Sequence, residues 1–464
     1  MKQRLLFIQF TISAEPESAE RQHLIEQRLD YCSVEPGVMW VAEVLASKAD
    51  VKVLNGDLMS DAEVIREVED YLPQCIGFSS FTAGWPRTTR IADSIRRQHS
   101  NLPFVFGGWH VTMCGEAFHA SILERYPGSV IVTGRGEGAG DVLLSPHNYA
   151  ESVIDGNAIS ALPRRYPFHV PIEPATEPHL SFIGVPHGRM ASMLFRGGCT
   201  FSCAYCPSGT GLAPDRSVDG IVDEIRKLVL ERGAQFIYVR DENPLLYPGL
   251  LSDLCRRLIK EGLYKKVGFH SCADVRIVTP DLIELMVEAG WTSVNVGVEH
   301  STESGLRAIG RSQRWETTRQ AFEMMRQKGM LVIANLMLWC PNDTMETFDE
   351  LLKAMLELRP DGLVPAFFTP FPGFSDSFFN GPWRTDDLAE YHFLRPILVN
   401  DPSVSDAQLI AARRQLICGY YSSTVFADLM QFRYQQLGAE RFRQLTECRR
   451  ERFQKYGFDL GQVG

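Results

Sequence analysis

The stretch Cys199-Thr-Phe-Ser-Cys203-Ala-Tyr-Cys206 decides how this chain is read. Three cysteines sit at spacings of four and three, just after the strand-like run Ser192-Met-Leu-Phe-Arg196 and the glycines Gly197 and Gly198. A loop this short places three thiolates on one face of a metal cluster. A cubic iron–sulfur cluster has four irons, so three protein ligands leave one iron open to an exchangeable ligand. Zinc is the competing metal, but it takes four ligands, usually from paired CxxC motifs, and no second pair follows at zinc-finger distance. Three core thiols are the other alternative. The neighbours Gly197, Gly198, Pro207, Ser208 and Gly209 suit a loop wrapped closely around something rather than a core strand.

At 464 residues the chain is long enough for several domains. Its 45% hydrophobic and 22% charged residues are those of a globular protein, and the net charge of −10 argues against a nucleic-acid partner. No apolar run reaches the roughly 18–20 residues that span a bilayer. Lys2, Arg4 and the short run Leu5-Leu-Phe-Ile8 read as a first strand rather than a signal peptide. Eleven cysteines without such a signal point to a reducing, cytoplasmic location.

Residues 1–145 alternate short apolar runs with amphipathic stretches. Leu5–Phe10, Val51–Leu54, Cys75–Phe81, Phe104–Phe106 and Val130–Thr133 read as strands, and the segments between them carry apolar residues at helical spacing. Five such units predict a doubly wound, Rossmann-like α/β domain with a parallel sheet, whose ligand lies beyond the carboxyl ends of the strands. Those ends are Ser79-Ser80-Phe81-Thr82, Gly107-Gly108-Trp109-His110-Val111-Thr112 and Gly134-Arg135-Gly136-Glu137-Gly138. Small and hydroxyl residues there let a large flat ligand approach the backbone. The glycine-rich stretch after strand five is spaced GxGxGxG, follows the wrong strand and does not fit a dinucleotide fingerprint.

Residues 146–188 are rich in proline and lose periodicity, as a linker would. From 189 to 375 strands and helices alternate again. Ser192–Phe195, Phe236–Val239, Val267–Ser271, Ser293–Val298, Leu331–Leu338 and Leu363–Phe368 predict a partial (β/α)6 barrel of the TIM type, with its chemistry at the strand ends. Residues 376–464 read as a C-terminal helical cap, with helices over Asp406–Tyr421, Thr424–Leu437 and Ala439–Tyr456. Cys418 and Cys448 have no CxxC or close triplet beside them, so a second cluster is not expected there.

Two resemblances follow from these motifs. CxxxCxxC at Cys199, Cys203 and Cys206 resembles the cluster loop of the radical SAM superfamily. In that family the open iron of a 4Fe-4S cluster chelates S-adenosyl-L-methionine, whose reductive cleavage gives a 5′-deoxyadenosyl radical. The order Ser-Ser, GGxHxT, GxGEG resembles the cobalamin-binding domain of the cobalamin-dependent members. The DxHxxG motif that supplies a lower cobalt ligand in methionine-synthase-type domains is absent, so no such ligand is named. The resemblance implies cobalamin contacts at Ser79, Ser80, Thr82, Gly107, Gly108, His110, Gly134, Gly136 and Glu137. It implies S-adenosylmethionine contacts at Tyr205, Asp241, Glu242 and Glu299. Cys340-Pro-Asn-Asp-Thr resembles the family's G-x-P turn with Cys340 in place of glycine, and Cys272 or Arg276 stands near the family's Arg-x-Asp.

The activity implied is C-methylation of an unactivated carbon in a small-molecule, lipid or peptide substrate, with an electron donor such as flavodoxin or ferredoxin. The catalytic residues beyond the cofactor sites are not identified. Members that cyclise, rearrange or oxidise are the alternative. A methylthiotransferase would need a second cluster, for which Cys32, Cys75 and Cys114 are the available thiols. A non-enzymatic cobalamin or S-adenosylmethionine sensor would not need the intact triplet.

Overall fold

The computed structural model describes residues 2–16, 18, 36–157, 172–173, 190–206, 208, 211–212, 216–372 and 381–463. The chain divides into two compact units. The first is Met1–Pro178 with Pro370–Asp376 and Thr385–Leu394; the second is His179–Thr369 with Ser377–Arg384 and Arg395–Gly464.

The first unit is built on seven parallel strands: β1 (Arg4–Phe10), β2 (Asp50–Asn55), β3 (Cys75–Ser80), β4 (Phe104–Gly107), β5 (Val130–Thr133), β6 (Val153–Asp155) and β7 (Ile172–Glu173). Their order is β6-β5-β4-β3-β1-β2-β7. The five expected strands are all present. The stretch expected as a linker contributes β6 and β7, one at each edge. Alternation along β1 explains why both faces are covered. Leu5 and Phe7 join one buried cluster with Val53, Val105 and the helix Pro36–Ala46. Leu6, Ile8 and Phe10 join another with Phe78, Phe106, Trp85 and Ile91. A strand buried on both sides needs apolar residues at every position, as in LLFI. Because β1 lies between β2 and β3, the sheet grows in opposite directions from it, which opens a crevice at its carboxyl end.

The second unit holds six parallel strands: β8 (Met190–Met193), then, after a two-residue antiparallel pair β9 (Gly198–Cys199) and β10 (Gly211–Leu212), β11 (Phe236–Val239), β12 (Gly268–Ala273), β13 (Trp291–Glu299), β14 (Leu331–Leu338) and β15 (Gly362–Phe367). The order β15-β14-β13-β12-β11-β8 follows the sequence from edge to edge. Met190, Phe236 and Tyr238 from one side share a buried cluster with Ile333 and Val364 from the other, so the sheet curls into a partial barrel. Val294, Val296, Val298, Val332, Ala334 and Leu336 alternate with the inner residues and are buried on the outer face.

The C-terminal segment splits by position. Residues 395–404 reach the carboxyl ends of the strands: Trp339 Nε1 donates to Leu398 O at 3.0 Å, and Asn400 Nδ2 donates to Cys340 O at 2.7 Å. The helices after them go elsewhere. Tyr421 Oη accepts from Leu363 N at 2.9 Å and Arg413 Nε donates to Pro365 O at 2.8 Å, which satisfies the free edge of β15. Pro365 offers no N–H on that edge, as an edge proline should. Arg433 forks onto Asp361 at 2.7 Å to each oxygen and reaches Met330 O at 2.8 Å. Asp361 and Met330 precede β15 and β14, so these helices seal the edge and the opposite rim. The predicted helix Ala439–Tyr456 is also broken, into Ala439–Thr446 and Arg450–Lys455, by a 3-10 turn at Glu447–Arg449.

Candidate active site

The cysteine loop leaves β8 through a turn that two carboxylates hold. Asp241, two residues past the end of β11, accepts from Phe195 N (2.7 Å), Arg196 N (2.8 Å) and Gly197 N (2.9 Å). Glu242 Oε2 accepts from Gly198 N at 2.7 Å. Parallel pairing of β8 with β11 puts the two strand ends side by side, which makes this possible. Gly197 and Gly198 have φ of 81° and 82°, consecutive left-handed positions that side chains would strain. Burial raises the pKa of Asp241, while the three N–H donors favour its ionised form. Asp241, expected as an S-adenosylmethionine contact, has both oxygens engaged by backbone.

A second group of residues clasps the loop from the other side. The Arg276 guanidinium lies 3.6 Å from the centre of the Phe201 ring and pairs with Asp274 through Nε (2.8 Å) and Nη2 (2.6 Å). Arg311 donates to Tyr205 Oη (2.8 Å), Gly297 O (3.0 Å), Asp274 Oδ2 (3.2 Å) and Gln313 Oε1 (2.9 Å). Its Nη1 is 3.9 Å from Cys203 Sγ and 3.8 Å from Glu299 Oε1. Tyr205 donates to Glu299 Oε1 at 3.2 Å. Burial pushes the Glu299 carboxyl up, and burial with the Glu299 charge pushes the Tyr205 hydroxyl up. Burial opposes the charge on Arg311, but Tyr205, Glu299, Asp274 and Cys203 hold it protonated. Sequence reasoning met Arg311 and Asp274 only as parts of family-like motifs and gave neither a contact. Their signal was only proximity to motifs, since charges that close a loop have no fixed spacing from it.

Backbone strain concentrates at the same rim. Glu299 (φ 63°), Trp339 (φ 59°) and Asn342 (φ 71°) are left-handed non-glycine residues at the ends of β13 and β14. The pairing register shifts between Gly297 and Glu299, a bulge that re-aims the Glu299 side chain. His300, next in sequence, is 3.0 Å from Asp343 Oδ1, while Asp343 Oδ2 accepts from Cys340 N at 2.7 Å. This ties the end of β13 to the turn after β14.

Cys199, Cys203 and Cys206 are free thiols and partly exposed, whereas Cys75, Cys114, Cys255 and Cys340 are buried. Burial and neighbouring thiols raise the pKa of Cys199 and Cys206, so a bound metal must offset that cost. Among the described residues no three His, Cys, Asp or Glu side chains converge on a single ion. The ligands of a cubic cluster stand at separate corners, so this donor set fits a 4Fe-4S cluster better than a mononuclear metal. Cys75 and Cys114 have thiols pushed up to about 12 by burial, and Cys32 lies outside the described residues.

In the first unit the three predicted loops lock together at the carboxyl edge. Gly108 has φ 91°, and a Cβ there would lie 2.6 Å from Ser80 N and 2.9 Å from Ser79 Oγ. Gly134 N donates to Thr112 Oγ1 at 3.0 Å, and a Cβ on Gly134 would fall 2.2 Å from Asn157 Nδ2. Gly136 would meet Val41 at 2.8 Å. The close approach expected toward a ligand is here one between loops. Ser80 Oγ is 2.7 Å from Thr88 Oγ1. His110 is buried, 3.3 Å from Thr82 Oγ1 and packed on Trp85 and Phe118, and burial lowers its pKa to about 4. Burial raises the Glu137 carboxyl. Gly107, Gly108 and Trp109 remain partly exposed, a rim of small residues and one indole that fits a flat macrocycle. Asp57 was missed: it accepts from Thr11 N (2.9 Å) and Thr11 Oγ1 (2.5 Å), fixing the loop after β1 at the crevice.

Comparison with known proteins matches both domains. Residues 193–355 match the model of the radical SAM superfamily and residues 24–144 that of the B12 binding domain. An anaerobic magnesium-protoporphyrin IX monomethyl ester cyclase of Rubrivivax gelatinosus is 24% identical over 441 residues, 89% of this chain and 77% of the relative. The hopanoid C-3 methylase of Methylococcus capsulatus is 22% identical over 363 residues, 74% of this chain and 68% of the relative. The radical S-adenosylmethionine methyltransferase TsrM of Kitasatospora setae, solved with cobalamin and a 4Fe-4S cluster, shares the fold at a TM-score of 0.63 and 16% identity, over 98% of this chain and 99% of that one. The chain thus joins a B12 binding domain to a radical SAM domain that carries the three-thiol loop, and the cofactors these domains call for are a 4Fe-4S cluster, S-adenosylmethionine and cobalamin.

Proposed function

We propose that this enzyme C-methylates an unactivated carbon of a small-molecule substrate. The observation that carries this is the union, on one chain, of a three-cysteine loop with a B12 binding domain. Bound, the cluster and S-adenosylmethionine supply a carbon-centred radical, and cobalamin supplies a methyl group. In this reading Cys199, Cys203 and Cys206 hold the cluster. Glu242 and Glu299 offer carboxylate oxygens to the ammonium and ribose of S-adenosylmethionine, and Tyr205 orients Glu299. Asp241 keeps the loop entrance in place, and Arg311 holds positive charge beside Cys203. Ser79, Ser80, Thr82, Gly107, Gly108, His110, Gly134, Gly136 and Glu137 form or support the cobalamin rim. A small one-electron carrier such as flavodoxin or ferredoxin supplies the reducing electron.

A second reading is a cyclisation without methyl transfer, supported by the likeness to the protoporphyrin ester cyclase over 89% of the chain. The test is anaerobic reconstitution with reductant, S-adenosylmethionine and cobalamin, followed by iron count and mass spectrometry. About four irons per chain are expected for one cubic cluster. Release of 5′-deoxyadenosine with a product heavier by one methylene supports methylation. A product lighter by hydrogens supports the cyclase, and no 5′-deoxyadenosine at all defeats both.

A further inference from the structure

The inner face of the barrel carries polar atoms that the barrel does not satisfy. Ser192 Oγ on β8, His270 Nε2 on β12, Asn295 Oδ1 on β13 and Asn335 Oδ1 on β14 are buried without a hydrogen-bond partner. Strand alternation places all four inside. Ser192 follows Met190 by two and Asn335 follows Ile333 by two, and Met190 and Ile333 belong to the interior cluster. Tyr238, of the same cluster, is registered with both Ser192 and His270, and Asn295 is registered with Ile333. His270 is fully buried and Asn295 is 6% exposed. The His270 ring lies 5.1 Å from Tyr238, and its Nδ1 is 2.8 Å from Ser293 Oγ, which leaves Nε2 for something else.

A buried polar group left unpaired costs about 1–3 kcal/mol. Apolar residues would fill a purely structural barrel interior, as they do one pair earlier on these strands at Met190, Phe236 and Ile333. One cation lies close by: Arg240 stacks 4.7 Å from the Tyr238 ring centre, and Tyr238 lies 5.1 Å from the His270 ring. Burial, with the Arg449 and Arg240 charges, lowers the His270 pKa to about 3. A further positive charge beside Arg240 would be repelled.

We propose that Ser192, His270, Asn295 and Asn335 form a head-group pocket for the substrate, one that takes a neutral or anionic hydrogen-bonding group such as an amide, hydroxyl or carboxylate and rejects hydrocarbon and ammonium groups. This rests on the reading that the substrate reacts in this barrel. The head group goes down among the asparagines, and the reacting carbon points toward the carboxyl ends of the strands, where the cysteine loop lies.

The test soaks crystals of the full-length, cluster-reconstituted protein separately with acetamide, acetate, ethylammonium and benzene. Expected is density for acetamide or acetate against Asn295 and Asn335, and none for ethylammonium or benzene. An Asn295→Leu/Asn335→Leu variant, checked for folding by circular dichroism and cluster absorbance, is expected to lose the polar probe. Benzene or ethylammonium bound in the parent protein, ordered water alone with every probe, or a folded variant that retains the polar probe would overturn the pocket. Release of 5′-deoxyadenosine by the parent protein is measured in parallel. Its absence counts against the radical reading and leaves the probe result standing.

Discussion

Asp241 accepts three consecutive backbone N–H groups, so its work is to shape the loop before Cys199. Asp241→Asn would turn one acceptor into a donor facing an N–H. The loss expected is about 1–3 kcal/mol, read as a lower denaturant midpoint and fewer irons retained per chain after reconstitution. Arg311 carries four acceptors on one planar fork beside Cys203. Lysine keeps the charge but not the fork. Arg311→Lys is expected to slow 5′-deoxyadenosine release at least tenfold with cluster absorbance retained, measured in single turnover with reductant in excess. The triplet itself was legible from residue spacing. Asp274, Arg276 and Arg311 as a clasp were not, because the contacts join residues up to 108 positions apart.

At the scale of elements, β15 is the exposed end of the barrel sheet, and the C-terminal helices are its cover. Arg433 and Asp361, both fully buried, pin the second of those helices to the rim. Removing one partner of such a pair leaves a buried unpaired charge and costs about 3–5 kcal/mol. Arg433→Met should therefore lower the denaturant midpoint sharply, and Arg433→Met with Asp361→Leu should recover much of that loss. Every strand of the barrel was legible, because a run such as Leu331–Leu338 has few alternatives to a buried strand. The edge strands β6 and β7 were not. They are three and two residues long, and so short a run has no period to detect.

At the scale of the whole molecule, acid should destabilise the fold. Burial lowers His110 to about 4 and His270 to about 3, both below the usual histidine range. The unfolded chain then binds protons that the native chain does not, so stability present at neutral pH is lost as pH falls below about 6.5 toward 4. The loss expected is on the order of a few kcal/mol. Chemical denaturation at pH 7 and pH 5 measures it, and replacing His110 with glutamine should flatten part of the slope. Among the described residues no helix is long and apolar enough to cross a membrane.

The sequence by itself determined the chemistry-bearing loop and the succession of strands and helices along the two α/β units. Thiol spacing and hydrophobic period are local properties, written in adjacent residues. Only the tertiary structure decided what the acids at the strand ends do. It turned Asp241 toward backbone N–H groups and set Glu299 in a left-handed turn against Tyr205 and Arg311. It also decided that the C-terminal helices brace the barrel's edge and opposite rim, and that Ser192, His270, Asn295 and Asn335 share one interior. Such juxtapositions depend on which strands lie side by side and how far the sheet curls, and no single stretch of the chain contains that information.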